Sequence, residues 1–83
     1  MKLTYDPTHN IAYFRLLEKT TQVETVHVSE SLNIDLAPDG TVYGIELLNA
    51  NEQLRGQESG KLIVENIATG TSAEVDLLLQ RRS

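Results

Sequence analysis

The residues best placed to do chemistry are two carboxylates, Asp35 and Glu46, in the stretch 33–50, NIDLAPDGTVYGIELLNA. They flank Pro38-Asp39-Gly40, a breaker between two runs of alternating apolar and polar residues, which is a β-hairpin signature. Folding the stretch on that breaker puts both acids on one side of the ribbon, diagonal or nearly so, together with Asn33 and Gly44. Carboxylates gathered in this way bind a cation or share a proton. The plainer reading is the wet face of a half-buried sheet. Glu24 or Glu30 joins them if the preceding strand pairs alongside, and Arg15 neutralises one of them if it stands across from it. Asp35, Glu46 and Arg15 are thus the candidate binding residues. Asp39, Gly40 and Gly44 are the candidate structural ones. The first two make the turn, and a glycine inside a strong strand marks a bulge or a close approach by an aromatic ring or a second chain. A packing role for Gly44 is favoured over ligand binding.

Other chemistry finds little support. There is no cysteine, hence no thiolate and no disulfide. The serines at 29, 31, 59, 72 and 83 sit in no strand-to-helix glycine elbow. His9 falls in a turn and His27 in a strand, with no local pair at metal-ligand spacing, so both read as surface histidines. Gly40 and Gly44 stand on a hairpin rather than between strand and helix, which excludes a phosphate-cradling loop. Tyr5, Tyr13, Phe14 and Tyr43 have no basic neighbours apart from Arg15, so they read as packing residues rather than base-stacking ones. The expectation is no catalytic residue, no metal and no cofactor. Seven Lys and Arg against twelve Asp and Glu give a formal charge of −5. Phosphate backbones attract cationic faces, so nucleic acid is not the expected partner. Arg81-Arg82 reads as a basic terminus, and the acidic excess suits a solvated surface or a basic protein partner. The opening MKLTYDPTHN has no apolar core of signal-peptide length and no run is long enough to span a membrane. A soluble, cytoplasmic protein without a membrane role is expected.

These residues need elements to hold them. The 83 residues read as a single domain, 1–83. A domain of this size buries only ~60% of the surface its unfolded chain exposes, which makes a monomer marginal. Residues 2–5 read as a strand and 6–10 as a turn. Residues 11–17 form a second strand that is apolar on both faces, with Ile11 and Tyr13 on one side and Ala12, Phe14 and Leu16 on the other. Such a run is central or covered by a partner. Residues 18–22 form a polar connection, and residues 23–28 alternate and give a further strand. In the central hairpin one buried face fixes the register. An even loop, Asp39-Gly40 or residues 37–40, places Leu32, Ile34 and Leu36 with Tyr43, Ile45 and Leu47. A three-residue loop sets Ile34 opposite Gly44 and turns Asn33 and Asp35 to the apolar side, so the even loop is predicted.

Residues 49–56 read as a short helix, capped by Asn49 with Glu52 at the capping-box position and ended by Gly56, and docked through Leu54. Residues 57–60 are a polar link. Residues 61–80 read as a C-terminal hairpin around a three-residue loop, Ala68-Thr69-Gly70, with Gly70 at positive φ, Ile67 facing Thr71 and Ile63 facing Val75. The alternative is a strand followed by a helix capped by Thr71 and Glu74. The stripe Ala73, Val75, Leu77, Leu79 favours the hairpin, because Leu77-Leu78-Leu79 leaves a helix no polar face.

KLTYDPTHNIAYFRL and DGTVYGIELLNANEQL together resemble the two signatures of a group of small prokaryotic proteins, the domain of unknown function family 2283. The matching positions are Tyr5, Asp6, Pro7, Tyr13, Arg15, Asp39, Gly40, Gly44, Ile45 and Glu46. The resemblance covers residues 2–55 and leaves the tail outside. It implies a compact β-rich fold with a short helix, and it supplies no catalytic residue, since no activity is assigned to the family. The turn after Pro7 reads Thr8-His9-Asn10 where a more acidic segment is expected, which weighs against a divalent-ion site there. The expected fold is therefore α+β, a small antiparallel β-meander of hairpins with one short helix. The expected role is a non-enzymatic protein-interaction or self-association module, acting as a homodimer or larger assembly through its sheet face, sheet edge or tail. Two alternatives stand beside it: an antitoxin-like or regulatory partner of a neighbouring gene product, and a small-ligand or metal-binding domain around Asp35 and Glu46.

Overall fold

The computed structural model describes residues 1–18, 22–55 and 60–79. In chain order the elements are β1 (Lys2–Asp6), β2 (Ile11–Arg15), β3 (Glu24–Ser29), β4 (Leu32–Leu36), β5 (Val42–Leu48), α1 (Ala50–Arg55), β6 (Lys61–Asn66) and β7 (Thr71–Asp76). The fold is the expected α+β arrangement of antiparallel strands with one short helix. The chain divides into two compact units, Met1–Ala50 and Asn51–Ser83.

The first unit is a five-stranded antiparallel sheet in the order β1-β2-β5-β4-β3. A hairpin, β1–β2, and a meander, β3–β4–β5, are joined where β5 pairs back onto β2. Alternation then sorts the side chains. Leu3 opposes Phe14, Phe14 opposes Ile45, Ile45 opposes Ile34, and Ile34 opposes Val26, an apolar row crossing every strand. A second row runs through Tyr5, Ala12, Leu47 and Leu32. The other side carries Tyr13, Arg15, Gly44, Glu46, Asn33, Asp35, Thr25 and His27. The two-faced character of the second strand is thus split between a polar and an apolar side of one sheet.

The loop of the central hairpin corrects the even-length expectation. The Ala37 amide donates to the Thr41 carbonyl at 2.9 Å, the Gly40 amide donates to the Ala37 carbonyl at 2.9 Å, and Gly40 has φ 90°, so the loop is Pro38-Asp39-Gly40. Asp39 fastens it by accepting the Thr41 amide at 2.9 Å. Such a loop by itself slips the pairing by one. The pairing is restored within the strands: Leu36 opposes Val42 but Asp35 opposes Gly44, which leaves Tyr43 as the extra residue of a bulge. Beyond it Ile34 opposes Ile45 and Leu32 opposes Leu47, the partnership that a common buried face demands. The Tyr43 carbonyl is not wasted. It accepts the amides of Leu16 and Leu17 at 2.9 and 3.3 Å.

The short helix begins at Ala50, and Asn49 before it has φ 54°. A capping residue has extended backbone, so Asn49 acts instead as a left-handed turn residue, a conformation asparagine tolerates. The Ala50 amide donates to the Asn10 carbonyl at 2.9 Å. The predicted helix end at Gly56, the link at 57–59 and the pair Arg81-Arg82 lie outside the described residues.

The hairpin β6–β7 takes up the larger part of the second unit's described residues. Residues 71–76 are strand rather than helix. The loop is one residue longer than predicted, Ile67 to Gly70, because Asn66 opposes Thr71. Asn66 Oδ1 accepts the amides of Ala68 and Thr69 at 3.0 and 3.3 Å, and the Gly70 amide donates to the Asn66 carbonyl at 2.8 Å. Gly70 has the expected positive φ, 74°. The extra residue sets Ile63 opposite Glu74 rather than Val75, and it matches Leu62 with Val75 and Val64 with Ala73. The hairpin becomes amphipathic, with Lys61, Ile63, Glu65, Ser72, Glu74 and Asp76 on the side away from that apolar quartet.

Candidate functional site

The polar side of the five-stranded sheet is built as two neighbouring rows across the strands. In one, Thr25, Asp35, Gly44 and Arg15 lie side by side on β3, β4, β5 and β2. In the next, His27, Asn33, Glu46 and Tyr13 do the same. Asp35 and Glu46 therefore stand diagonally on one face, the relation read from the sequence. Thr25 and His27 join them from β3. Glu24 opposes Leu36 and lies on the other side of its strand, and Glu30 lies in the turn between β3 and β4.

Tyr13 ties the rows together. From β2 its ring crosses above Gly44 on β5, so closely that any β-carbon at position 44 would collide with the phenol. Beyond Gly44 the Tyr13 hydroxyl donates to Asp35 Oδ2 at 2.6 Å, on the next strand. Thr25 Oγ1 donates to Asp35 Oδ1 at 2.7 Å. A carboxylate with only 8% of its surface exposed needs such donors, because burying an unpaired charge costs several kcal/mol or more. Glycine at 44 is what opens the path. It is a close approach by an aromatic ring next to a bulge, the two roles expected of a glycine inside a strand.

The second row is also bonded. Asn33 Nδ2 donates to Glu46 Oε1 at 2.8 Å, which leaves Asn33 Oδ1 facing His27 Nδ1 at 2.9 Å. Since that oxygen only accepts, His27 must carry a proton on Nδ1. Arg15, opposite Gly44, forms a 3.8 Å ion pair with Glu18.

Burial pushes the Tyr13 phenol up to about 12, helped by its hydrogen bond to Asp35 and by the negative charges of Asp35 and Glu46, with Arg15 opposing. At neutral pH Tyr13 is therefore a protonated donor. Asp35 has both oxygens engaged by hydroxyls. Among the described residues no group of three or more His, Asp or Glu side chains is placed to hold a metal ion. The face is a lattice of hydrogen bonds. The sequence pattern pointed to Asp35, Glu46 and Gly44. It did not single out Tyr13, Thr25, Asn33 and His27 as their partners. The signal available was parity: Tyr13 and Arg15 alternate together, as do Thr25 and His27.

The small antiparallel sheet with one short helix and this polar lattice define a class of β-rich α+β protein. Within it, the profile of a family described as protein of unknown function, DUF2283, matches residues 2–51, and the chain belongs to that family. The match ends one residue past the first unit and leaves the β6–β7 hairpin outside it. No curated protein and no solved structure matches the chain. Among the described residues no helix is long and apolar enough to cross a membrane.

Proposed function

We propose that this protein is a non-enzymatic interaction module that works by covering the apolar face of its five-stranded sheet with another protein surface. The observation that carries this reading is the contrast between the two sides of that sheet. The polar side is hydrogen-bonded across β2, β4 and β3 by Tyr13, Asp35 and Thr25. The apolar side carries Leu3, Phe14, Ile45, Ile34, Leu32 and Leu47, yet no large side chain among the described residues is fully buried. A sheet with one apolar face is stable when a second layer covers it, and each large side chain taken out of water contributes about 1.5–3 kcal/mol. The acidic balance of −5 gives a basic partner the advantage among hetero-complexes.

The test places a charge on that face at the edge strands, where the fold tolerates it best. Leu3→Lys on β1 and Val26→Lys on β3 should each dissociate the native assembly, read by sedimentation and native mass spectrometry of the full chain. Their circular dichroism should stay that of the parent. A chain that sediments as a monomer at micromolar concentration and takes up no partner, or an assembly indifferent to both substitutions, overturns the reading.

A further inference from the structure

We propose that β6 is a pairing edge for a second copy of this chain, with a twofold axis through Ile63. Such pairing uses neither face of the five-stranded sheet and is independent of the function proposed above. Among the described residues β6 pairs with β7 on one side only, in a two-stranded sheet, and all residues of β6 are exposed. Ile63 and Val64 expose 44% and 58% of their surfaces. A two-stranded hairpin is marginal in water, whereas three or more strands with an apolar face are not. An added strand is the natural remedy, and the sequence of β6 says which one.

Read outward from Ile63, the strand Lys61-Leu62-Ile63-Val64-Glu65 is self-complementary in the antiparallel sense. Pairing with its own copy about Ile63 sets Lys61 across from Glu65 of the second copy, and Glu65 across from Lys61. Leu62 falls opposite Val64, and Ile63 opposite itself. Backbone geometry agrees. The Leu77 amide donates to the Gly60 carbonyl at 2.8 Å, in register with the hairpin, so residues 60, 62 and 64 turn their amides toward β7. By alternation Lys61, Ile63 and Glu65 turn theirs outward, and these are the residues that the twofold axis pairs. Leu62 and Val64 then extend one apolar face across a four-stranded sheet of order β7-β6-β6-β7. Lys61, which already lies 3.6 Å from Glu74 of its own hairpin, stands between two carboxylates.

Charges on a sheet edge ordinarily discourage pairing. Here opposite signs equidistant from Ile63 turn that discouragement into selection of one register. A slip by two residues leaves Lys61 or Glu65 facing Ile63. The other edge shows the contrast: outward residues Ser72, Glu74 and Asp76 on β7 would set Glu74 against its own copy at the axis, and like charges directly opposite are destabilising.

The full chain lacks cysteine, so a single introduced one reports its own neighbour. Paired residues of this type bring α-carbons to about 5.5 Å, within disulfide reach. Ile63→Cys should form a disulfide-linked dimer under mild oxidation, and Glu74→Cys on β7 should not. Lys61→Glu and Glu65→Lys should each weaken association of the Ile63→Cys chain about tenfold or more, since two attractive pairs become repulsive. An equimolar mixture of the two, or the double swap Lys61→Glu with Glu65→Lys, should restore it. No cross-link at position 63, equal cross-linking at position 74, or a double swap as weak as the single variants overturns the proposal. A sheet-face contact alone predicts none of this charge dependence, so this proposal and the function proposed above can fail separately.

Discussion

In the β1–β2 hairpin, Asp6 accepts the amides of Thr8 and His9 at 2.9 and 3.4 Å, and Asn10 closes the turn at φ 56°. In β6–β7, Asn66 accepts the amides of Ala68 and Thr69, and Gly70 closes the turn at φ 74°. Each turn has an Asx residue at its start, a left-handed residue four positions on, and a closing pair between the first and the sixth residue: Asp6 with Ile11, Asn66 with Thr71. The strands beyond them have different fates. β2 pairs onward to β5 and enters a hydrogen-bonded lattice, whereas β7 meets no further strand among the described residues. Local turn chemistry therefore makes a hairpin in both places, and what the second strand meets on its far side decides whether the hairpin becomes part of a sheet.

The largest effect should come from breaking the lattice that only the first hairpin enters. In Gly44→Ala a β-carbon meets the Tyr13 ring, so the ring must move and its hydroxyl leaves Asp35. Overpacking together with a lost bond to a buried carboxylate should cost about 2–4 kcal/mol, read from the denaturant midpoint. Adding Tyr13→Ala removes the collision. The double variant should then be less destabilised than the sum of the single ones. A simple sum would mean that ring and glycine do not interact.

Much of this arrangement was legible in the alternation of single strands. Asp35 with Glu46 on one side, Ile34 and Leu32 on the other, a packing glycine at 44 and a positive φ at Gly70 all follow from residue parity and turn chemistry. The loops were harder. At Pro38-Asp39-Gly40 two departures cancel, an odd loop and a bulge at Tyr43, and parity reports only their sum. At Asn66 nothing cancels. The asparagine carboxamide spans two amides and lengthens the loop by one residue, a signal present in the sequence as an Asn where β1 ends in Asp6. Tyr13 with Asp35 was not legible at all, because it requires β5 to lie between β2 and β4. Strand order is a property of the whole sheet, and no single segment encodes it.

A smaller effect sharpens the same contrast. Tyr13→Phe keeps the ring over Gly44 and deletes one donor to Asp35, at a cost of about 1–2 kcal/mol. It should also change the alkaline limb of stability. The Tyr13 phenol is raised from 10.0 to about 12 in the folded chain. A raised value favours the folded state fully below pH 10 and loses that contribution as the pH climbs toward 12, because the unfolded chain gives up the proton first. The parent should therefore lose stability across that window more steeply than Tyr13→Phe. The phenolate absorbance missing from the variant should have its midpoint near 12. A midpoint near 10 would detach Tyr13 from the carboxylates.

The smallest effect compares the two turns directly. Of the two residues that start these turns, Asp6 and Asn66, only Asp6 can titrate. Its carboxyl is held below the usual 3.8 by the hydrogen bond to the His9 side chain, by the amides of His9 and Thr8 and by the His9 charge, with desolvation opposing. A lowered value means that the turn's contribution is complete above the ordinary carboxylate range and is lost as the pH falls through the depressed value. Amide resonances of Thr8 and His9 should thus shift in acid with a midpoint under 3.8, whereas those of Ala68 and Thr69 should show no turn-acceptor titration. Asp6→Asn should abolish the acid shift and keep the turn, since a carboxamide oxygen accepts the same two amides at Asn66. If Asp6→Asn instead unravels β1–β2 at neutral pH, the charge rather than the acceptor geometry holds that turn, and the likeness between the two hairpins is only one of backbone shape.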